Sequence, residues 1–184
     1  MNKFIMLLLM LFFAFFTVNA QEKKDLKKVN SSEIRKPWLF KVGLMNTQVT
    51  STINTTSKFG YQFGIIKEFN LSVDSYFHTG ITYQVKGFNS GSRVVTLTYF
   101  EVPATWISKI NFLWLGAGVY AGFPIQTETA FTKTDIGFRG LVAIPLGQNS
   151  NTAISGELTY SILPIINYGS SRNFTVGINL LQYF

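Results

Sequence analysis

The residues able to do chemistry in this 184-residue chain are few and scattered. His78 is the single histidine, and cysteine is absent. A hydrolytic triad or a zinc site needs partners that one imidazole and no thiolate do not supply. His78 is expected to be a lone polar residue of the lumen, the alternative being a pair with Asp74, four residues before it near one rim, and no catalytic, cofactor or metal set is assigned. The other charges of interest are Lys41, Lys86 and Arg139 against Glu101, Asp135 and Glu157. Three of each sign on one parity of their segments point to a structural network of ion pairs and hydrogen bonds, because an unpaired buried charge costs several kcal/mol. The functional alternatives are a proton- or substrate-linked site on Glu101, Glu157 and Arg139, or a polar leak path.

Charges so far apart in sequence meet only if the elements carrying them share a surface, and the alternation of the chain provides one. From Trp38 the sequence divides into eight alternating segments, at about 38–47, 58–69, 73–88, 93–109, 112–124, 132–146, 152–163 and 173–184. Successive side chains in a strand point to opposite faces. One parity carries Phe40, Val42 and Leu44, then Tyr61, Phe63 and Ile65, and continues through Val102, Val119, Val142 and Leu158. The opposite parity collects the six charges above together with Gln62, Glu68, His78, Gln84, Lys109, Tyr120 and Asn179. Aromatics fall near the segment ends: Trp38, Phe69, Phe77, Trp106 and Phe184 toward one rim, and Phe59, Phe123 and Phe174 toward the other. That is the placement expected of interfacial girdles.

Composition decides which face looks outward. Aromatics make up 16% of the chain and charged residues 14%, against roughly 25% charged in an ordinary soluble domain. No segment after residue 20 approaches eighteen consecutive apolar residues, so no spanning helix is on offer. Only helices and closed barrels satisfy every backbone group in lipid. The expected fold is therefore all-β, an eight-stranded antiparallel up-and-down transmembrane β-barrel with membrane lipid around it and a side-chain-filled lumen. A soluble lipocalin-like barrel would invert the faces, crowding too many aromatics into a narrow interior.

The two ends agree with export. Met1-Asn2-Lys3, the apolar run Phe4 to Phe16 and Val18-Asn19-Ala20 read as a signal peptide over 1–20. Residues 21–37 read as a disordered basic periplasmic tether, and 38–184 as the barrel. Net charge is +7, yet much of the excess sits in that tether; from Pro37 onward nine basic residues face six acidic ones, which excludes nucleic acid as the expected partner. Connections alternate between short links and longer loops, the longer ones at 48–57, 125–131 and 164–172, as outer-membrane barrels show. An even strand count then leaves both termini in the periplasm. The 48–57 loop is a candidate contact surface, and Asn-x-Ser/Thr triplets at Asn54 and Asn173 are taken as loop composition. The last segment, Phe174 to Phe184, reads as a closing strand with Gln182 as one polar residue on its apolar face.

Across about residues 39–184 the chain resembles the PorT-like outer-membrane β-barrel proteins of Bacteroidota. The resemblance rests on Lys41-Val42-Gly43-Leu44-Met45-Asn46, Gly80 to Gly87, Tyr99-Phe100-Glu101-Val102-Pro103, Gly116 to Gly122 and Asp135-Ile136-Gly137. It implies an eight-stranded outer-membrane barrel inserted by the barrel assembly machinery, with no family catalytic residues to carry over. The name-giving member is linked to type IX secretion. The expected function is thus a non-enzymatic, monomeric envelope protein with a structural or interaction role and an envelope or secretion partner. A narrow porin-like transporter or secretion-accessory barrel is one alternative, and a soluble periplasmic ligand-binding barrel is the other.

Overall fold

The computed structural model describes residues 38–50, 55–126, 133–147, 151–165 and 171–184. The expected signal peptide (1–20) and tether (21–37) lie outside the described residues. Eight antiparallel strands follow in order: β1 (Trp38–Thr50), β2 (Thr55–Asn70), β3 (Ser75–Ser90), β4 (Arg93–Ile110), β5 (Leu113–Gln126), β6 (Asp135–Pro145), β7 (Thr152–Ser161) and β8 (Arg172–Tyr183). Each pairs with its sequence neighbour, and β1 closes the barrel on β8 from Leu39↔Tyr183 to Thr50↔Arg172. Closure removes the two unpaired edges that an open sheet of long apolar strands would expose.

Strand ends differ from the sequence reading in both directions, with β1 and β2 extended by hairpin pairing past the apolar alternation and β6 and β7 shorter than expected. β1 runs to Thr50 and β2 begins at Thr55, so most of the expected 48–57 loop is strand; residues 51–54 lie outside the described ones. β7 stops at Ser161 and β8 starts at Arg172. Asn173 is accordingly a strand residue with a buried side chain, a correction to its reading as loop composition. Two turns are tight because a residue takes the left-handed conformation. Gly91 (φ 57°) turns β3 into β4, and Asn111 (φ 55°) turns β4 into β5, a conformation that glycine and asparagine accept at least cost.

Pro103 sits inside β4, facing inward. The β3–β4 ladder passes through Thr79↔Ala104 and resumes at Thr82↔Glu101, while on the other side Pro103 pairs with Tyr120. The gap is what a residue without an N–H leaves in a ladder. Register on both sides of the gap is the same, so the strand crosses the proline without a slip.

Alternating burial sorts the side chains as the pattern of residue types requires. Leu44 is 69% exposed, Ile178 66% and Phe63 44%, whereas Lys41 is 1% and Glu101 0% exposed. The interior is layered. Leu39, Ile66, Tyr76, Ile107, Trp114, Leu141 and Leu181 fill the end that holds the chain's last residue. Val49, Phe88, Val95, Leu97, Tyr99 and Ile165 fill the opposite, loop end. Lys41, Glu101, Arg139 and Glu157 occupy the level between these two apolar plugs.

Candidate functional site

The middle of the lumen carries the chain's chemistry. β1 brings Lys41, β4 Glu101, β6 Arg139 and β7 Glu157 to one height, each at an inward position of its strand. Lys41 Nζ donates to Glu157 Oε2 at 2.6 Å. Arg139 bridges two carboxylates, with NH1 at 3.1 Å from Glu101 Oε1 and NH2 at 2.9 Å from Glu157 Oε2. Amides extend the set: Asn179 Nδ2 donates to Glu157 Oε2 at 3.1 Å, Gln62 Nε2 to Asn179 Oδ1 at 2.6 Å, and Gln84 Nε2 to Gln62 Oε1 at 3.3 Å.

Lys86 and Asp135 form a separate unit nearer the loop end. Lys86 Nζ donates to Asp135 Oδ2 at 2.7 Å and lies 4.7 Å from the centre of the Tyr99 ring. Asp135 also accepts from Asn173 Nδ2 at 2.8 Å, from Tyr120 OH at 3.0 Å and from Ser161 Oγ. Four donors on one fully buried carboxylate satisfy it about as completely as hydrogen bonding allows. The six charges thus split into a four-membered set and a pair.

A third cluster sits at the opposite end, where His78 Nε2 lies 2.8 Å from Glu68 Oε2. Tyr183 OH donates to the same oxygen at 2.7 Å, and Lys109 Nζ stands 3.9 Å away, above the rings of Tyr76 and Trp114. The partner of His78 is therefore Glu68 on the adjacent strand, and not Asp74. Asp74 is exposed between β2 and β3. Directly opposed positions in a hairpin bring side chains closer than an i, i+4 spacing can in an extended chain. The signal was available: Glu68 and His78 share the inward parity and straddle the short β2–β3 link.

Small cavities lie within the lumen. The two best-formed cavities among the described residues each have a volume of about 10 Å3, enough for a single water. One is lined by Lys41, His78, Thr105 and Arg139 among apolar neighbours, the other by Gln62, Gln84, Glu157 and Thr159. The arrangement can hold charge in a fixed geometry. Among the described residues no three of His, Asp and Glu converge in a metal-ligand group.

At the end holding the last residue, aromatics stand on the outer wall. Trp38, Phe69, Trp106 and Phe184 are exposed and Phe77 is half-buried. Lys67 Nζ lies 4.6 Å from the Trp38 ring and 5.5 Å from that of Phe69, and Trp106 Nε1 donates to Ser75 Oγ at 3.0 Å. Phe59, Phe123 and Phe174 stand toward the loop end. Gln182, the polar interruption of the β8 face, is exposed, accepts from Thr152 Oγ1 at 2.6 Å and donates to Tyr183 O at 3.2 Å.

No protein-family profile matches the chain and no curated protein is similar to it. Solved structures do resemble it in fold. Neisserial surface protein A (NspA) matches with a TM-score of 0.55 at 15% identity, over 80% of this chain and 97% of that one. Ail, the attachment invasion locus protein of Yersinia pestis, solved with the heparin analogue sucrose octasulfate, matches with a TM-score of 0.50 at 16% identity and the same coverage. At these identities the likeness is one of fold: a small closed barrel of eight antiparallel strands.

Proposed function

We propose that the protein is a small outer-membrane β-barrel with both termini in the periplasm, which acts in the envelope as a structural or interaction protein without enzymatic activity. The observation that carries this reading is the inversion of the two faces. Lys41, Lys86, Glu101, Asp135, Arg139 and Glu157 are sealed inside, while Phe40, Phe63, Val102, Val119, Val142 and Leu158 stand exposed on the outer wall. A continuous apolar wall is costly in water, where monomeric soluble proteins keep such patches to a few hundred Å2. It is the ordinary surface in hydrocarbon. Strands of 10 to 18 residues meet or exceed the roughly 9–11 that a tilted strand needs to cross. The resemblance to PorT-like barrels fits this reading and suggests a partner in the envelope or in secretion. The two apolar plugs and the filled lumen weigh against a narrow porin-like transporter, and the exposed apolar wall weighs against a soluble ligand-binding barrel.

The test is mobility of separated outer and inner membranes on gels, unheated against boiled in mild detergent. A heat-dependent band shift confined to the outer membrane is the expected result. A soluble periplasmic protein with no shift would overturn the reading.

A further inference from the structure

Eight of the described charged side chains point into the lumen or its mouth: Lys41, Glu68, Lys86, Glu101, Lys109, Asp135, Arg139 and Glu157. The charges left outside are distributed unevenly. Lys67 and Asp74 lie toward the end holding the last residue. Toward the loop end lie Lys58, Arg93, Lys133 and Arg172, and none of the four pairs with a carboxylate among the described residues. The sequence puts one acid, Glu128, in the β5–β6 connection.

Their placement is what points to a ligand. One cation belongs to each even-numbered strand: Lys58 in β2, Arg93 opening β4, Lys133 two residues before β6, and Arg172 opening β8. They therefore ring the barrel and do not form a patch. Two are held against the outer wall. Lys58 Nζ donates to Thr96 Oγ1 at 2.6 Å, and Thr96 is exposed between buried Val95 and Leu97. Arg172 NH1 donates to Tyr160 OH at 3.3 Å, and Arg172 alternates with buried Ser171 and Asn173. Both positions border the exposed apolar band, so an anion meeting them comes from the side of the barrel.

We propose that this ring is a binding belt for phosphate-bearing lipid headgroups in the leaflet at the loop end, several lipids meeting separate cations around the perimeter. The proposal rests on the membrane-spanning reading above. Cations spaced around a circumference match an annulus of headgroups better than one soluble polyanion, which would want them together. Each cation near an anionic surface adds an attraction that fades within a Debye length.

The test uses the barrel reconstituted in phosphatidylcholine bilayers with spin-labelled phosphatidic acid or spin-labelled phosphatidylcholine, reading the motionally restricted lipid fraction. The wild type is expected to select phosphatidic acid over phosphatidylcholine, and selection should weaken as salt is raised. The fourfold variant Lys58→Gln, Arg93→Gln, Lys133→Gln and Arg172→Gln should lose most of that selectivity, by up to about fivefold per charge removed. Lys67→Gln, at the other end, should keep most of it. A restricted phosphatidylcholine fraction without selectivity, or selectivity unchanged in the fourfold variant, overturns the belt while leaving the membrane reading intact. Absence of any restricted fraction overturns both. If millimolar inorganic phosphate abolishes selection where sulfate at equal ionic strength does not, the cations bind free phosphate and the lipid assignment falls.

Discussion

Glu157 offers the sharpest perturbation of the lumen. Its Oε2 receives Lys41 at 2.6 Å, Arg139 at 2.9 Å and Asn179 at 3.1 Å, and its side chain is 4% exposed. Truncation by Glu157→Ala leaves two buried cations facing a single carboxylate, that of Glu101, which contacts only Arg139 among them. Removing one partner of a buried pair costs about 3–5 kcal/mol, because the remaining charge stays desolvated. The amide of Glu157→Gln retains an acceptor but not the charge, and should cost less. Replacing both members of the closest pair, as in Lys41→Met with Glu157→Leu, removes the stranded ammonium and should recover a large part of the loss, since apolar replacement of a buried pair is often near neutral. Arg139 keeps Glu101 in that background. Urea unfolding of the barrel in lipid vesicles, with the three variants beside the wild type, reads these differences. A Glu157→Ala variant within about 1 kcal/mol of the wild type would refute the reasoning, since it would mean that water solvates the lumen well enough to carry the charges alone.

Other outcomes follow from the same geometry. Val119 lies at mid-height on the outer wall between Ala104 and Phe138, so Val119→Arg should cost about 2–4 kcal/mol in vesicles, whereas Phe59→Arg near the loop end should cost about 0–1; equal costs would mean that the wall does not face hydrocarbon. A Cβ on Gly137 would stand 2.7 Å from both Cε1 and OH of Tyr120 and closer still to the backbone oxygen of Tyr160. Gly137→Ala should therefore displace the Tyr120 ring from Asp135 and lower the temperature at which the folded gel band disappears. Tyr183→Phe removes one donor from Glu68 and should cost about 1–2 kcal/mol, read by the same urea unfolding. Planar-bilayer recordings of the wild type are expected to lack discrete conductance steps, and regular steps would refute the plugged lumen.

Much of the barrel was legible in the chain because strand alternation has a period of two and needs no knowledge of partners. Lys41, Lys86, Glu101, Asp135, Arg139 and Glu157 each fall on the polar parity of a segment, so their common side follows from local pattern alone. Which charge meets which does not. Lys41 and Glu157 are 116 residues apart, and their contact depends on the closure of β1 on β8 and the register of the β7–β8 pairing beside it. The same closure split the six charges into a set of four and a pair. Leu39, Ile66, Leu141 and Leu181 share the inward parity with the charges, so alternation gave no reason to gather them into a plug; only the heights set by register do so. His78 shows the limit at short range, since Asp74 is nearer in sequence while the hairpin register delivers Glu68. The sequence by itself determined a two-faced, eight-segment chain with its charges on one side. Tertiary structure decided the pairings, the layering and the ring of outer cations, because each depends on how far one strand slides past the next, a quantity that no single strand encodes.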